Sequence, residues 1–186
     1  MLKRGDYKLR PVTEDDFEQL LRWRNSERVR AFMYSDHLIT STEHRKWFEQ
    51  IQQSEFPVVL IFEYRGRPIG VKNISRIDRQ HNRCHWGFYL GETGIPKGSG
   101  TIMGYMAQEY IFLIQEFHKL CAEAFACNKA SLCYHERLGF REEGLFTQHI
   151  LKNNRYEDIV CFAILRSEWL RQRLVIEKNV FTMGKL

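Results

Sequence analysis

Apolar and polar positions along this chain follow two rhythms, one of period two and one near 3.6. Residues 7–12 alternate through Tyr7, Leu9 and Pro11 and predict a first strand. Thr13 then supplies a helix cap, with Glu14, Asp15 and Asp16 suited to the first turn. Phe17, Leu20, Leu21 and Arg24 follow at helical spacing, and Trp23-Arg24-Asn25 closes that helix. Residues 26–39 have no clear period. Ser41 or Thr42 can cap a second helix over 43–53, with Trp47, Phe48 and Ile51 as its apolar side. Three strands are expected next, at 57–64, 69–77 and 83–90, and their close spacing predicts an antiparallel meander. In the third, Cys84, Trp86 and Phe88 point to one face and His85, Gly87 and Tyr89 to the other. A long apolar segment, 102–117, reads as a helix, 120–127 as a strand and 128–138 as a helix that Gly139 ends in a left-handed cap. Strands at 140–151 and 156–165 form a terminal hairpin, 167–175 is a last helix with Trp169, Leu170 and Leu174 apolar, and 177–186 reads as a tail.

This order is not a regular strand–helix alternation. It predicts an α/β (α+β) fold in which a mixed, mostly antiparallel central sheet is flanked by helices, as one domain over 1–186 with its core at about 7–166. Composition agrees: 44% apolar and 27% charged residues describe a globular chain able to bury a core. No apolar run is long enough to span a bilayer, so no membrane partner is expected. The opening Met1-Leu2-Lys3-Arg4-Gly5-Asp6 lacks the apolar stretch of a signal peptide, and the expected compartment is the cytoplasm. Five cysteines, with no Cys-x-x-Cys pair, read as reduced packing residues and predict no metal site. The net charge of +5 comes from scattered basic residues without a basic arm or nucleic-acid motif. That balance suits a small polyanionic ligand better than nucleic acid.

The chemistry centres on Lys97-Gly98-Ser99-Gly100-Thr101, between the strand at 86–90 and the helix at 102–117. A glycine turn feeding a helix start presents unpaired N–H groups and the positive end of the helix dipole, which together bind anions. A second signature is Asn128-x-x-Ser131 followed by Gly139-Phe140. With the element order, the two resemble the GNAT superfamily of acetyl-CoA-dependent N-acetyltransferases over roughly residues 7–166. That superfamily's turn reads Gln or Arg, two residues, Gly, one residue, then Gly or Ala. Here Lys97 and Ile102 depart from the pattern while the central glycines hold. The front motifs Trp23-Arg24-Asn25, residues 28–33 and Glu43-His44-x-x-Trp47-Phe48 further resemble the pseudaminic-acid-pathway (PseH-type) acetyltransferases. Those enzymes acetylate the 4-amino group of a UDP-linked 4-amino-4,6-dideoxy sugar on the route to a nonulosonic acid that decorates flagellin.

The resemblance implies direct transfer from acetyl-CoA to an amine, without an acyl-enzyme. It implies that the backbone at Phe88, Tyr89 and Leu90 holds the pantetheine arm, that the amides of Gly98, Ser99, Gly100, Thr101 and Ile102 hold the pyrophosphate, and that Lys97 keeps a positive charge near it. Asn128 and Ser131 complete the donor side. The family's proton donor to the thiolate is a Tyr seven residues after the Asn, a count that falls here on His135, with Tyr134 one residue early. Seven steps of about 100° bring His135 to within about 20° of the Asn128 direction, against about 120° for Tyr134, so the phase favours His135. His85 and Glu123 compete as general base. Arg30, Met33, Tyr34, His44 and Trp47 are the expected acceptor pocket, Arg30 meeting a pyrophosphate and the aromatics stacking a base. The expected acceptor is a nucleotide-linked amino sugar. A peptide N-terminus or polyamine, and a non-catalytic acetyl-CoA-binding module, stand as alternatives. Trp169 and the apolar end of the chain point to a contact surface for a homo-oligomer.

Overall fold

The structure is a computed structural model that describes residues 2–56 and 58–182. Seven strands form one sheet: β1 (Tyr7–Pro11), β2 (Val59–Tyr64), β3 (Arg67–Asp78), β4 (Arg83–Leu90), β5 (Lys119–Phe125), β6 (Arg141–Lys152) and β7 (Arg155–Leu165). Their spatial order is β1-β2-β3-β4-β5-β7-β6. Every pairing is antiparallel except that of β4 with β5. The expected mostly antiparallel sheet flanked by helices is therefore what the chain forms.

The helices are α1 (Phe17–Asn25), α2 (Glu27–Arg30), α3 (Ser41–Gln52), α4 (Ser99–Glu109), α5 (Lys129–Arg137) and α6 (Arg166–Thr182). Local chemistry sets their starts. Thr13 and Asp16 form a capping box before α1. Before α3 the cap is Thr40, one or two residues earlier than the expected Ser41 or Thr42, because Glu43 returns a bond to the Thr40 amide. The aperiodic segment after α1 contains the single turn α2, then runs as loop to α3. The long apolar helix splits into α4 and a π-helical turn, Tyr110–Ile114, so it starts earlier and ends sooner than 102–117. Helix α6 continues to Thr182, and the expected tail at 177–182 is helical; residues 183–186 and Pro57 lie outside the described residues.

Side chains alternate across the sheet, so each strand sends one set toward α4 and α5 and the other toward the α1–α3 segment. Trp86 meets Tyr134 and Phe140 on the first face, while Tyr34 reaches Glu123 on the second. Trp169 is fully buried in this chain's own core against Tyr105 and Phe112, and its indole N–H donates to Gln108 Oε1 at 3.1 Å. It is thus an internal packing residue rather than a contact for another copy. Leu174, expected on the same apolar side, is 71% exposed.

Candidate active site

Strands β4 and β5 pair only through Arg83–His85 and Lys119–Cys121. Beyond that short parallel contact β5 stays bound to β7 along its length, while β4 stays bound to β3. From Trp86 to Leu90 the edge of β4 that faces β5 carries no strand. Its backbone groups are available to an extended ligand lying in the split, which is where Phe88, Tyr89 and Leu90 were expected to hold a pantetheine arm. Trp23 fixes the far end of this edge. Its indole donates to Glu92 Oε1 at 2.9 Å, and its ring lies so close over Gly91 that a Cβ there would sit 2.0 Å from it.

The turn follows directly. Gly98 caps α4 with φ of 94°, a left-handed conformation that favours glycine. The Ser99 amide donates to the Pro96 carbonyl, and those of Thr101 and Ile102 donate to the Gly98 carbonyl. The amides of Lys97, Gly98 and Gly100 have no protein acceptor among the described residues. They are the groups of this turn that fit a diphosphate. The Ser99 hydroxyl turns inward to Pro96 and Tyr7, Thr101 and Ile102 are buried, and these three residues reach a ligand by shape alone. Lys97 stays exposed, free to meet charge. Asn128 caps α5 by accepting from the Ser131 amide at 3.1 Å, and the Ser131 carbonyl is taken by His135, so both hold the helix rather than reaching the turn.

His135 is only 1% exposed. Its Nδ1–H donates to the Ser131 carbonyl at 2.8 Å, and its Nε2 accepts from the Trp86 indole at 3.2 Å. The ring stacks on Phe162 with centroids 5.0 Å apart. Burial pushes its pKa down to about 3. A neutral imidazole with both nitrogens engaged has no proton to offer a thiolate, and the donor role expected from helical phase does not suit it. That phase is correct but leads into the core, since α5 lies over the sheet. Tyr134 instead faces β4 and α4. Its ring stacks on Phe88 at 4.1 Å, and its hydroxyl lies so near Gly104 that a Cβ there would be 2.4 Å away. Burial holds the phenol protonated, well above its ordinary value.

On the opposite face Glu123 gathers three partners. Tyr34 Oη donates to its Oε2 at 2.7 Å, Arg76 pairs with its Oε1, and His85 Nδ1 stands 3.8 Å from the same oxygen. Burial would raise the carboxyl, but the Tyr34 and Arg76 bonds outweigh it and keep it ionised. Burial, assisted by Arg76, lowers His85 and leaves it neutral near pH 7. Of the residues expected from sequence, Tyr34, His85 and Glu123 therefore meet. Arg76 was missed, and nothing in its strand pattern marks it. His44 and Trp47 do not join them: His44 Nε2 bonds to the Phe17 carbonyl at 3.0 Å, and its ring stacks on Trp47 between α1 and α3. Their shared helix face packs inward. The Arg30 and Met33 carbonyls accept from Lys152 Nζ, at 3.2 and 2.7 Å, which ties this loop to the β6–β7 hairpin.

Three arginines beside this face have no carboxylate partner among the described residues. Arg24 Nη2 donates to Ser35, Arg28 Nη2 to the Gly91 carbonyl and Arg30 Nη1 to the Asp36 carbonyl. Arg24 Nη1 is buried with no hydrogen-bond partner among the described residues, and its electrostatic neighbours are Tyr89 and Arg30. Sequence reasoning used Arg24 only as part of a motif.

A released strand edge leading to a glycine-capped helix start with free amides, with ionisable groups on both sides of the split, fits an acyl-group transferase that takes its donor as a coenzyme thioester. The acetyltransferase (GNAT) domain model matches residues 7–141, and the chain belongs to that family. It is an N-acetyltransferase that uses acetyl-CoA. An uncharacterized N-acetyltransferase, YokL, derived from the SPbeta prophage of Bacillus subtilis, is 29% identical over 128 residues, 67% of this chain and 71% of that one. The spermidine N(1)-acetyltransferase of Escherichia coli K12 is 19% identical over 89% of each chain. Among solved structures, spermidine N-acetyltransferase from Vibrio cholerae in complex with CoA and spermine superposes with a TM-score of 0.83 at 19% identity. That match covers 89% of this chain and 99% of the other and reports a shared fold. No helix among the described residues is long and apolar enough to cross a membrane. No group of three or more metal-ligating side chains occurs among them.

Proposed function

We propose that this N-acetyltransferase acts on an amine carried by an anionic small molecule, specifically a nucleotide-linked amino sugar of the 4-amino-4,6-dideoxy type. The observation that carries this reading is the buried, unpartnered Arg24 Nη1 beside Arg30, with no carboxylate on Arg24, Arg28 or Arg30. A buried guanidinium nitrogen without an acceptor is unfavourable, and a diphosphate would supply the acceptor and offset the clustered charge. A polycation would meet repulsion there.

Acetyl-CoA supplies the activated acetyl group. The residues do the rest. Amides at Lys97, Gly98 and Gly100 bind its diphosphate, and the free β4 edge orients its arm. His85 accepts the proton that the attacking amine loses, and Glu123, held by Tyr34 and Arg76, orients His85 and stabilises the charge it gains. Tyr134 donates its phenolic proton to the departing sulfur.

A second reading, a polyamine N-acetyltransferase, is favoured by the relatives, several of which are spermidine acetyltransferases. Glu123 would then receive a cationic amine. The two readings separate on initial rates of coenzyme A release with the UDP-linked 4-amino sugar and with spermidine. Turnover of the nucleotide sugar is expected, and Arg24→Met raises its KM by about tenfold, the worth of one charge-assisted bond, with acetyl-CoA KM unchanged. Turnover of spermidine alone, undiminished in Arg24→Met, overturns the nucleotide-sugar reading in favour of the polyamine.

A further inference from the structure

Lys72 is a buried ionisable group that the chemistry above does not use. It lies in β3 opposite Phe88 of β4, on the face toward α5, and is 0% exposed. Its Nζ sits 2.9 Å from the centroid of the Trp86 ring and 4.6 Å from that of Phe88. It donates to Tyr134 Oη at 3.3 Å. No carboxylate approaches it among the described residues. The ionisable groups around it are Cys84 on β4, whose thiol burial pushes up to about 12, and Tyr134 and His135 on α5. Burial drives the Lys72 pKa well below its ordinary value and so favours the neutral amine. A buried amine costs more than an isosteric methionine would in the same aromatic box, and the one hydrogen bond it makes among the described residues is to the Tyr134 oxygen.

We propose that Lys72 is a positioning residue for proton donation by Tyr134: its N–H holds the phenol oxygen, directs the phenol O–H into the β4–β5 split, and stabilises the oxygen as its proton leaves. This rests on Tyr134 being the donor to the thiolate. In the step, the Tyr134 O–H bond breaks and an S–H bond forms on the coenzyme. The electron pair stays on the phenol oxygen, facing the Lys72 N–H, and solvent water returns a proton once free coenzyme has left. The hydrogen bond is neutral at rest and becomes charge-assisted as the phenolate develops, so it acts on the transition state more than on binding.

The test is a double-mutant cycle of Lys72→Met and Tyr134→Phe, assayed with acetyl-CoA and whichever acceptor, the UDP-linked amino sugar or spermidine, gives turnover. Tyr134→Phe is expected to lower kcat by about 100-fold or more, the usual worth of a positioned acid. Lys72→Met is expected to lower kcat by about tenfold with acetyl-CoA KM unchanged and the melting temperature equal or higher. The double variant is expected to match Tyr134→Phe alone, because Lys72 acts only through that hydroxyl. Wild-type kcat in Lys72→Met, or multiplied losses in the double variant, overturns the inference while leaving Tyr134 as donor. A wild-type rate in Tyr134→Phe removes the donor reading itself and Lys72's role with it.

Discussion

Tyr134 and His135 are neighbours in sequence with opposite fates, decided by one step of about 100° around α5. Tyr134 faces Phe88 and Gly104 at the split, and His135 faces Phe162 and Trp86 in the core. Burial sets both protonation states, and for His135 it couples stability to pH. Its pKa falls from 6.5 in the open chain to about 3 when folded. Between those values the unfolded chain binds a proton that the folded one does not, so its contribution is complete above pH 6.5 and is lost as pH falls toward 3. The slope is about 1.4 kcal/mol per pH unit from this one group. His44 and His85, also lowered, act in the same direction. His135→Gln is expected to lose stability at pH 7 through its Trp86 and Ser131 bonds, yet to show a shallower loss between pH 6 and 4, read from chemical unfolding across that range. An unchanged pH slope would show that His135 is not the buried neutral group described here.

Among the elements, the turn into α4 sets the backbone conformation on which the proposed donor site rests. Gly98 carries a φ of 94°, and that geometry frees the Lys97, Gly98 and Gly100 amides while Thr101 and Ile102 close the first turn on its carbonyl. Gly104, one face further along, lets α4 approach α5, since a Cβ would meet Leu138 at 2.3 Å and the Tyr134 hydroxyl at 2.4 Å. One helix thus sets both the proposed diphosphate site and the ceiling over the proposed proton donor. Gly98→Ala places a side chain in the left-handed region at a cost of about 1–2 kcal/mol. The variant is expected to raise acetyl-CoA KM by about tenfold while saturating kcat stays near the wild-type value. A KM unchanged under steady-state assay would mean that the turn does not carry donor affinity.

The whole molecule is closed by its last helix. Helix α6 seats Trp169 on α4 and the π-helical turn, and Trp169 is joined to Gln108, whose amide in turn donates to the Leu138 carbonyl at 2.9 Å. Helix α6 therefore supports the two helices that carry the proposed diphosphate site and Tyr134. Trp169→Ala is expected to lower unfolding free energy by about 3–5 kcal/mol, measured by denaturant titration. A loss under about 1 kcal/mol would mark α6 as loosely docked.

Periodicity and turn residues determined most of the element types, the meander of β2 to β4, the terminal hairpin and the glycine turn, because each depends on local backbone preference and on which face is apolar; α2, the π-helical turn and the end of α6 they did not. Lys72 was also legible in principle: its strand phase matches Ile74, which points inward, and a charge in that phase is a signal. Tertiary structure decided the rest. A 3.6 period says that His44 shares a face with Trp47, and His135 with Asn128, but not whether that face meets a pocket or the core. Strand phase likewise cannot say that β4 and β5 part after His85, because the split is a missing partner rather than a local preference. Nor can it place Arg76 beside Glu123, 47 positions away, since that contact exists only once the strands between them are paired.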